Sequence, residues 1–562
     1  MLDLLIKGGT VVDGSGAPAR QADVAIADGK VTAIGAIDAP ARRTIDAHGL
    51  VVAPGFVDPH THYDAQICWD LPLSSAPWHG ITTVVMGNCG VGIAPVRPEA
   101  REIVTWDLVN IEGIPFDVLD KGIDWDWQSY PEYIEAARRR GSGINLAFLA
   151  PLTPFRHFVM GEESMKRAAT PAETATIAGL IGDAIDAGAI GWSTTIGRQH
   201  VGYKGRPIAC RLADRAELAA YSNVLRERGK GTVQIALTRQ VGYLLDDERE
   251  LLDFLLTESG RPVTWSFLMD RHDIPDAASN TLDEIAPLIA RGGVPQFTPL
   301  PVSSDINLKR PFLFSVYPSW KPALNATPED QRALFASADF RDGFRDELAT
   351  QPMGFTGNWA LVDVAHVTSA ALKPLEGRTV ADIAGERGVD PLDLFFDIAV
   401  EDGLETQFTI TLFNTDVHRV ARLVNDPRVV VGLSDAGAHV DMHDNAGYGA
   451  YLLGKISRDL QAMTLERAVQ RLTSEPARLF GLNDRGLLAP GLPADIVIFD
   501  YATIGPKLSP IHNQEVRHDL PGNGKRLVWP QDNAIRFTIV NGEVLYEAGV
   551  YQDILPGRVV SA

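Results

Sequence analysis

The two ends of the chain share one pattern of apolar and polar positions. Near the start, LDLLIKGGTVVDG and ADVAIADGKVTAIG alternate around Gly-Gly and Asp-Gly pairs. Near the end, ADIVIFD and FTIVNGEVLYEAGV repeat the alternation, with Asn541 and Gly542 between two runs. Alternation indicates strands, and Asp-Gly or Asn-Gly between two such runs is the strongest short-range hairpin signal. The pattern predicts one small β domain built from both termini; two unrelated β edges are the alternative.

Between these ends, the apolar residues form eight short runs rich in β-branched side chains, which we number as barrel strands one to eight. They are residues 51–58, 81–87, 144–150, 189–195, 231–237, 262–268, 294–300 and 429–435. Continuous apolar runs indicate burial on both faces, as in a parallel sheet. Helical spacing lies between several runs, for example in PAETATIAGLIGDAIDAGA, which ends at Gly188. The repeat predicts an α/β fold of the (β/α)8 TIM-barrel type. A doubly wound open sheet is the alternative, but no GxGxxG follows a first strand.

Residues 301–428 are too many for a single connection between two barrel strands. The stretch contains PFLFSVYPSW, which is rich in aromatic residues and prolines. We interpret it as an insertion, partly helical and partly a wall or lid over the site. The predicted domains are therefore residues 1–53 and 486–562 for the β-sandwich and 54–485 for the barrel with its insertion.

Composition excludes several classes of function. The chain has 51 Lys and Arg against 72 Asp and Glu, a formal net charge of −21, which argues against a nucleic-acid partner. No basic amphipathic stretch and no run of 18 apolar residues is present, so no membrane association is expected. The three scattered cysteines and the absence of a signal-peptide pattern predict a cytoplasmic protein. A small-molecule substrate is expected, and homo-oligomerisation stays open.

The ends of three predicted strands carry candidate chemistry, because active residues of such barrels follow the carboxyl ends of the strands. Strand one is followed by His60 and His62, whose i, i+2 spacing can present two imidazoles to one ion. Strand eight ends at Asp435, with His439 four residues later. Strand two is followed by Cys89, which is either a thiolate ligand for Zn²⁺ or a small buried core residue.

Five motifs, in order along the chain, carry a resemblance to a known family. They are IKGGTVVDGSG, APGFVDPHTHYD, GNCGVGIAP, GLSDAGAH and LTSEPARLFGL…RGLLAPGLPADIVIFD. With these motifs the chain resembles the amidohydrolase superfamily, specifically its D-aminoacylase (N-acyl-D-amino-acid deacylase) branch. The resemblance implies a metal-bearing barrel, a β-sandwich made of both termini and hydrolysis of carbon–nitrogen bonds other than peptide bonds. It also implies that Cys89 is a metal ligand.

The chain departs from the family pattern at two metal histidines. The family places a histidine at the end of strand five, which here reads TVQIALTRQ, and another at the end of strand six, where Trp265 and Ser266 stand. His272, farther on, is expected to be an exposed loop residue, and its recruitment from the loop as a ligand is the alternative. The second metal site is therefore predicted to be lost, leaving a set that can hold one Zn²⁺ per chain and keep a position for water. The predicted ligands are His60, His62, Cys89 and Asp435.

Substrate recognition is less clearly marked in the sequence. The arginine that the family carries in the strand-eight loop has no match in HVDMHDNAGYGAY. Arg156 and Arg198 are candidate substrate contacts, with Lys204 as a further cation and structural arginines as the alternative. The insertion offers aromatic side chains for an apolar wall: Phe312, Phe314, Tyr317 and Trp320. We therefore expect large neutral amides to be cleaved better than N-acetyl-D-amino acids.

The predicted reaction is hydrolysis of an amide by an activated water. A bound Zn²⁺ would lower the pKa of the water and polarise the carbonyl. Asp435 would act as the general base, and His439 would stabilise the oxyanion or orient the carbonyl; a loop histidine bonded to backbone is the alternative for His439. A catalytically inactive barrel that serves as a scaffold is the competing hypothesis for the protein, but the intact histidine pair and Asp435 favour an enzyme.

Overall fold

The computed structural model of the chain contains a terminal β sheet, a barrel and an inserted domain. It describes residues 1–309, 311–314, 317–324, 326–350, 355–505 and 514–562, and of Phe312 only the backbone. In the parts so described, no helix has both the length and the apolar content that a membrane crossing requires.

Both ends of the chain contribute strands to one sheet, as the alternating patterns predict. The nine strands of this sheet are Leu2–Val11, Arg20–Ala27, Lys30–Gly35, Ala41–Asp46, Val51–Pro54, Ile496–Phe499, Ile535–Val540, Glu543–Glu547 and Val550–Tyr551. The two halves meet where Val52 lies opposite Ile498 in an antiparallel pair. Apolar side chains from both ends fill one common core, including Ile6, Val24 and Ile539. The prediction of a single β domain built from both termini is confirmed.

The hairpin turns of this sheet use the residues that a two-residue turn requires. Asn541 and Gly542, between the strands Ile535–Val540 and Glu543–Glu547, have φ of 48° and 84°. Asp28 and Gly29 connect two N-terminal strands with φ of 52° and 73°. A turn of type I′ needs positive φ at both central positions, which Asn, Asp and Gly tolerate best.

Each of the eight predicted runs overlaps a barrel strand, and these strands pair in parallel around a ring; in the first run, Val51–Pro54 instead belongs to the terminal sheet. The barrel strands are Phe56–Asp58, Ile81–Met86, Asn145–Phe148, Gly191–Thr195, Thr232–Ala236, Val263–Ser266, Gly293–Phe297 and Val430–Val431. The short strand Ala150–Pro151 continues strand three and pairs with strand four. The backbone N–H of Asp435 donates to His60 O at 3.1 Å, and that of His62 donates to Ala436 O at 2.7 Å, so strand eight closes onto strand one. The (β/α)8 prediction is confirmed.

Helices cover the outside of the ring, and several of them begin at a residue whose side chain caps the helix. Thr170 and Glu173 form a capping box at the start of Pro171–Ala187, and Gly188 ends that helix with a φ of 121°, as its sequence predicts. The α-helices outside the insertion are Arg101–Glu112, Phe116–Gly122, Tyr130–Arg140, Leu152–Met160, Pro171–Ala187, Arg215–Arg228, Asp246–Ser259, Ala277–Glu284, Ala286–Ile289, Val417–Asn425, Tyr448–Tyr451, Leu465–Leu472 and Ser474–Leu479, with a π-helix at Leu452–Asp459.

The insertion after strand seven is a small domain with its own core. Its strands Val302–Ile306, Val362–His366 and Gln407–Phe413 form an antiparallel sheet. Its helices are Pro328–Ala336, Ala338–Thr350, Val380–Arg387 and Pro391–Glu401. Helix Val417–Asn425, which lies inside the predicted insertion 301–428, instead contributes Val420 and Val424 to the main barrel core.

The aromatic residues of the insertion do not form the pocket wall that the sequence analysis expects. Phe314, Tyr317 and Trp320 are fully buried in the core of the insertion, where the rings of Phe314 and Trp320 stack at 4.3 Å. The side chain of Phe312 lies outside the described residues. Three of the four aromatic residues therefore contact other parts of the insertion, because burying a large ring in a small core stabilises more than exposing it at a pocket.

A hairpin near the C-terminal end lies against the loop that follows strand eight. Its strands are Glu515–Leu520 and Gly524–Val528. Within it, the Leu527 N–H donates to Val440 O at 2.6 Å. The guanidinium of the buried Arg526 donates hydrogen bonds to both carboxylate oxygens of Asp519, at 2.7 and 2.8 Å. This hairpin therefore supports the loop that carries His439.

Candidate metal centre

Two imidazoles at the end of strand one converge on a single point. His60 and His62 are both buried, and their ring centroids lie 5.3 Å apart. The His60 Nδ1 lies 2.5 Å from Oε1 of Gln296, at the end of strand seven. Because an amide oxygen only accepts hydrogen bonds, this contact places the His60 proton on Nδ1 and leaves Nε2 as the ligand atom.

Cys89 reaches the same point from strand two through an unusual backbone conformation. The residue has a φ of 56°, in the left-handed region, within the short turn Asn88–Gly90. Its N–H donates to Oε1 of Gln234 at 2.6 Å, and its Sγ lies 3.4 Å from His60 Nε2. A non-glycine residue in this region stores strain that surrounding contacts must offset, a common feature of functional sites. This backbone conformation directs the Cys89 thiol toward the imidazoles.

Asp435 completes the group from strand eight. Its Oδ1 lies 3.2 Å from His62 Nε2 and 3.6 Å from His60 Nε2. Like Cys89, it has a left-handed φ, of 58°. The structure thus brings together the four side chains that the sequence analysis names as ligands.

The ligand atoms of His60, His62 and Cys89 are spaced to hold one metal ion, and Asp435 lies against the two imidazoles. The ligand atoms of His60, His62 and Cys89 all lie within 4.8 Å of one another. Zinc bonds of about 2.0–2.3 Å put neighbouring ligand atoms of a tetrahedron roughly 3.2–3.7 Å apart. The separations of 3.4 Å for Cys89 with His60 and 3.2 Å for Asp435 with His62 fall in that range. Two nitrogens, one sulfur and one oxygen are donors that zinc accepts.

The electrostatics of the group favour a cation at its centre. Burial raises the pKa of the Cys89 thiol to about 11, so the thiolate forms there only with a cation to stabilise it. Burial alone would raise the pKa of Asp435 as well, but the His62 and His60 imidazoles outweigh it and hold that pKa below the usual range. Burial lowers the pKa of His60 to about 4, which keeps its ring neutral as a ligand must be.

His439 lies on the same loop as Asp435, at the rim of the group. The residue is half-buried, and its ring centroid lies 5.5 Å from that of His443. Its backbone N–H donates to the carbonyl oxygen of Glu112. Burial lowers the pKa of the His439 imidazole to about 4, so the ring is neutral near pH 7.

The structure does not bring Arg156 to the metal site. Its guanidinium is fully buried, pairs with Glu217 and donates to the backbone oxygen of Arg167 at 2.8 Å. A cation already paired inside the protein is not available to a substrate carboxylate, so the expectation for Arg156 is replaced by a structural role. Arg198 is exposed in the loop after strand four, and its carbonyl oxygen accepts from Arg211 at 3.3 Å.

The positions of the missing family histidines are filled by groups that are poor metal ligands. At the end of strand five, the Thr238 hydroxyl accepts from the Phe267 N–H at 2.9 Å. At the end of strand six, Trp265 is buried in the main core, and the Phe267 ring lies 6.3 Å from that of His60. His272 bonds Thr356 of the insertion at 2.9 Å. Across the described ranges, the one place where three or more histidine, cysteine or acidic ligand atoms come close together is the site of His60, His62 and Cys89, which Asp435 adjoins.

Sequence reasoning missed two buried residues beside the centre. Glu112, the last residue of helix Arg101–Glu112, places Oε1 at 3.3 Å from His62 Nδ1. His200, after strand four, is 9% exposed, and its Nδ1 has no hydrogen-bond partner in the described structure. Neither residue belongs to a spaced motif, and both lie in long connections where a polar residue is ordinarily solvated. The one sequence signal for Glu112 is the glycine that follows it, which indicates that a helix ends there, in the connection after strand two.

The sequence pattern of the amidohydrolase family matches residues 43–302 and 334–546, most of the chain. The chain belongs to the amidohydrolase family. This amidohydrolase is 29% identical to the D-aminoacylase of Alcaligenes xylosoxydans xylosoxydans over 512 residues, which cover 89% of each protein. The resemblance inferred from the motifs is thereby confirmed.

Solved structures extend the likeness to the whole chain. A D-aminoacylase described with a binuclear metal centre, with one-metal activation and second-metal attenuation, has a TM-score of 0.68 at 26% identity and covers all of both chains. The N-acyl-D-glutamate deacylase of Bordetella bronchiseptica, complexed with zinc and a phosphonate that mimics the tetrahedral intermediate, has a TM-score of 0.65 at 26% identity, again over both full chains. Both are metal enzymes, as the donor set of this amidohydrolase suggests.

Proposed function

We propose that this amidohydrolase is a metal-dependent deacylase that hydrolyses N-acyl amino acids with one Zn²⁺ per chain. The observation that carries the proposal is the position of Asp435, whose Oδ1 lies 3.2 Å from His62 and 3.6 Å from His60. That arrangement combines a metal ligand set with a carboxylate able to move a proton. The D-aminoacylase relative, for which one metal is described as activating, supports a single-metal enzyme.

The chain's own residues supply the proton transfers. When bound among His60, His62, Cys89 and Asp435, a divalent cation such as Zn²⁺ would polarise the amide carbonyl and lower the pKa of an attacking water. Asp435 accepts a proton from that water as the oxygen attacks the acyl carbon. It then donates the proton to the amine nitrogen as the carbon–nitrogen bond breaks, which yields a carboxylic acid and a free amine.

His439 is placed to help with the carbonyl. Its imidazole is neutral near pH 7 because burial lowers its pKa to about 4, and a neutral ring carries one N–H donor. A donor fixed beside the developing oxyanion stabilises the transition state more than the ground state. We therefore assign His439 to orienting the substrate carbonyl.

The substrate class follows from the relatives and from the corrected surroundings of the site. Three of the four aromatic residues expected to form a wall for neutral amides, Phe314, Tyr317 and Trp320, lie in the core of the insertion. Arg198 and Lys204 are the exposed candidates for the substrate carboxylate; because the Lys204 ammonium lies 4.6 Å over the Tyr203 ring, we assign the contact to Arg198, whose loop Arg211 holds. The Phe267 ring beside His60 favours an apolar acyl group.

A matched pair of substrates tests this choice. We expect zinc-loaded protein to hydrolyse an N-acyl-D-amino acid with a kcat/KM at least tenfold above that of its carboxamide analogue. Arg198→Gln should reduce that preference, whereas the control Lys204→Gln, also exposed, should not. A preference for the carboxamide would favour the neutral-amide alternative, and no turnover of any amide would favour the scaffold hypothesis.

We also propose a cytoplasmic location. The three cysteines all lie in described residues and are free thiols, two of them buried. Free thiols of this kind fit a reducing compartment. Fractionation of the native cells would test the location.

A further inference from the structure

The C-terminal end of helix Arg101–Glu112 touches the metal centre in three ways. The Glu112 carboxylate Oε1 lies 3.3 Å from His62 Nδ1. The Glu112 carbonyl oxygen accepts from the backbone N–H of His439. A Cβ added at Gly113 would lie 3.0 Å from His439 Nδ1, so the glycine lets the helix end approach that ring closely.

The two histidines of the centre have different partners on their outer nitrogens. His60 Nδ1 meets the neutral amide oxygen of Gln296, whereas His62 Nδ1 meets a carboxylate. His62 therefore lies between two carboxylates, Glu112 at Nδ1 and Asp435 at Nε2. This asymmetry gives His62 the more strongly polarised ring of the two.

Glu112 is buried at a cost that ordinary packing does not explain. Its side chain is 4% exposed, and His62 is its one ion-pair partner within the described residues. A buried acidic group with so little compensation lowers stability unless it has another use.

We propose that Glu112 is a positioning residue for the metal centre. It holds the His62 proton on Nδ1 and directs Nε2 toward the ion, while the same helix end fixes the backbone of His439. This inference rests on the proposed function, because His62 is a metal ligand only if the centre binds a metal. Carboxylate partners of metal-bound histidines fix the ring orientation, raise its basicity and typically contribute 10- to 100-fold in metal affinity.

Three variants and a matched control separate this role from a structural one. Glu112→Gln keeps the shape and removes the charge, Glu112→Ala removes the contact, and Glu112→Asp keeps the charge but withdraws it from the ring. Glu102→Gln, on the exposed face of the same helix, is the control. Zinc affinity is measured by chelator competition, and the melting temperature is measured with and without zinc.

We expect Glu112→Gln to bind zinc at least tenfold more weakly, Glu112→Ala more weakly still, and Glu102→Gln like the parent. A tenfold loss equals about 1.4 kcal/mol less zinc-induced stabilisation. The zinc-free melting temperature of Glu112→Gln should stay the same or rise, because a buried charge is removed; a purely structural residue would lower it. The visible absorption of the cobalt-loaded protein should shift in Glu112→Gln and not in Glu102→Gln.

The outcomes distinguish this inference from the proposed function. Equal zinc affinities for the parent and Glu112→Gln would overturn the positioning role and leave the deacylase proposal in place. A parent protein that binds no zinc would overturn both. If Glu112→Ala does not fold, Glu112→Gln and Glu112→Asp decide the matter by the same measurement.

Discussion

At the scale of single residues, Cys89 and Asp435 share a backbone conformation that most side chains avoid. Their φ values are 56° and 58°, and both follow the last residue of a barrel strand by a few positions. In the extended conformation each side chain would continue the alternation of its strand. The left-handed turn instead directs both toward the His60 and His62 imidazoles, so the fold accepts local strain to bring the ligand set together.

Asp435→Asn tests the proton transfer. We expect kcat to fall by roughly 10²-fold or more, because the amide cannot accept the proton of the attacking water. Asn keeps the size and one oxygen donor, so KM should change less. Steady-state kinetics on the zinc-loaded variant, with its zinc content measured, gives both constants. A raised KM with unchanged kcat would make Asp435 a binding group and require another base.

Arg156→Met tests the structural role assigned to Arg156. We expect the free energy of unfolding to fall by about 3–5 kcal/mol, because Glu217 is left as a buried, unpaired charge. KM should be unaffected in protein that remains folded. Urea unfolding provides the measurement, and the double variant Arg156→Met, Glu217→Leu should recover part of the loss. An increased KM at undiminished stability would return Arg156 to the substrate site.

At the scale of elements, the sequence pattern predicts the positions of the barrel strands but not which side chains line a pocket. Eight apolar runs correspond to the eight barrel strands, because burial on both faces leaves a continuous apolar signature that needs no partner to be recognised. For the aromatic residues of the insertion the pattern predicts a pocket wall where the structure has a core, since Trp320 and Phe314 look the same in sequence in either place. Whether these rings are buried depends on the three-stranded sheet of the insertion, which is formed by segments far apart in the sequence.

Trp320→Ala tests the independence of the insertion core. Trp320 is fully buried against Phe314, Phe344 and Phe396. Its loss should cost about 3–5 kcal/mol of local stability. Hydrogen exchange should show faster exchange in Val302–Ile306 and Gln407–Phe413, with the barrel strands protected as before. Equal acceleration in the barrel strands would show that the two cores unfold as one unit.

At the scale of the whole molecule, the strand ends predict the candidate metal centre, whereas the residues that it takes from connections are not predicted. His60, His62 and Asp435 follow strands, so the barrel topology alone predicts that they meet. Glu112 and His200 come from long connections, whose paths depend on packing that no local pattern encodes. The ion pair of Arg156 cannot be predicted for the same reason, since its partner Glu217 lies on a separate helix.

The protein should bind about one equivalent of zinc per chain. The described residues contain one close ligand group, and Thr238 and Phe267 stand where strands five and six end. Elemental analysis after dialysis against metal-free buffer gives the ratio. Two tightly held equivalents would mean that other residues rebuild a second site.

The double variant His60→Ala, His62→Ala is the control for that measurement. It should lose the zinc and the activity but keep its circular dichroism spectrum, because strand tips contribute little to the barrel core. Hydrolysis at the parent rate would rule out the assigned centre.

The sheet that contains both ends of the chain cannot be completed until the C-terminal strands have been synthesised. The strand Val51–Pro54 leaves the ribosome long before its antiparallel neighbour Ile496–Phe499, since the barrel and the insertion are translated between them. At about 5–20 residues per second, that interval lasts on the order of half a minute or more. During it, the free edge of the early strand is a template for pairing with another chain. Nascent copies on one messenger are therefore at risk of exchanging terminal strands, and a chaperone that shields the N-terminal segment should raise the yield of correctly folded protein.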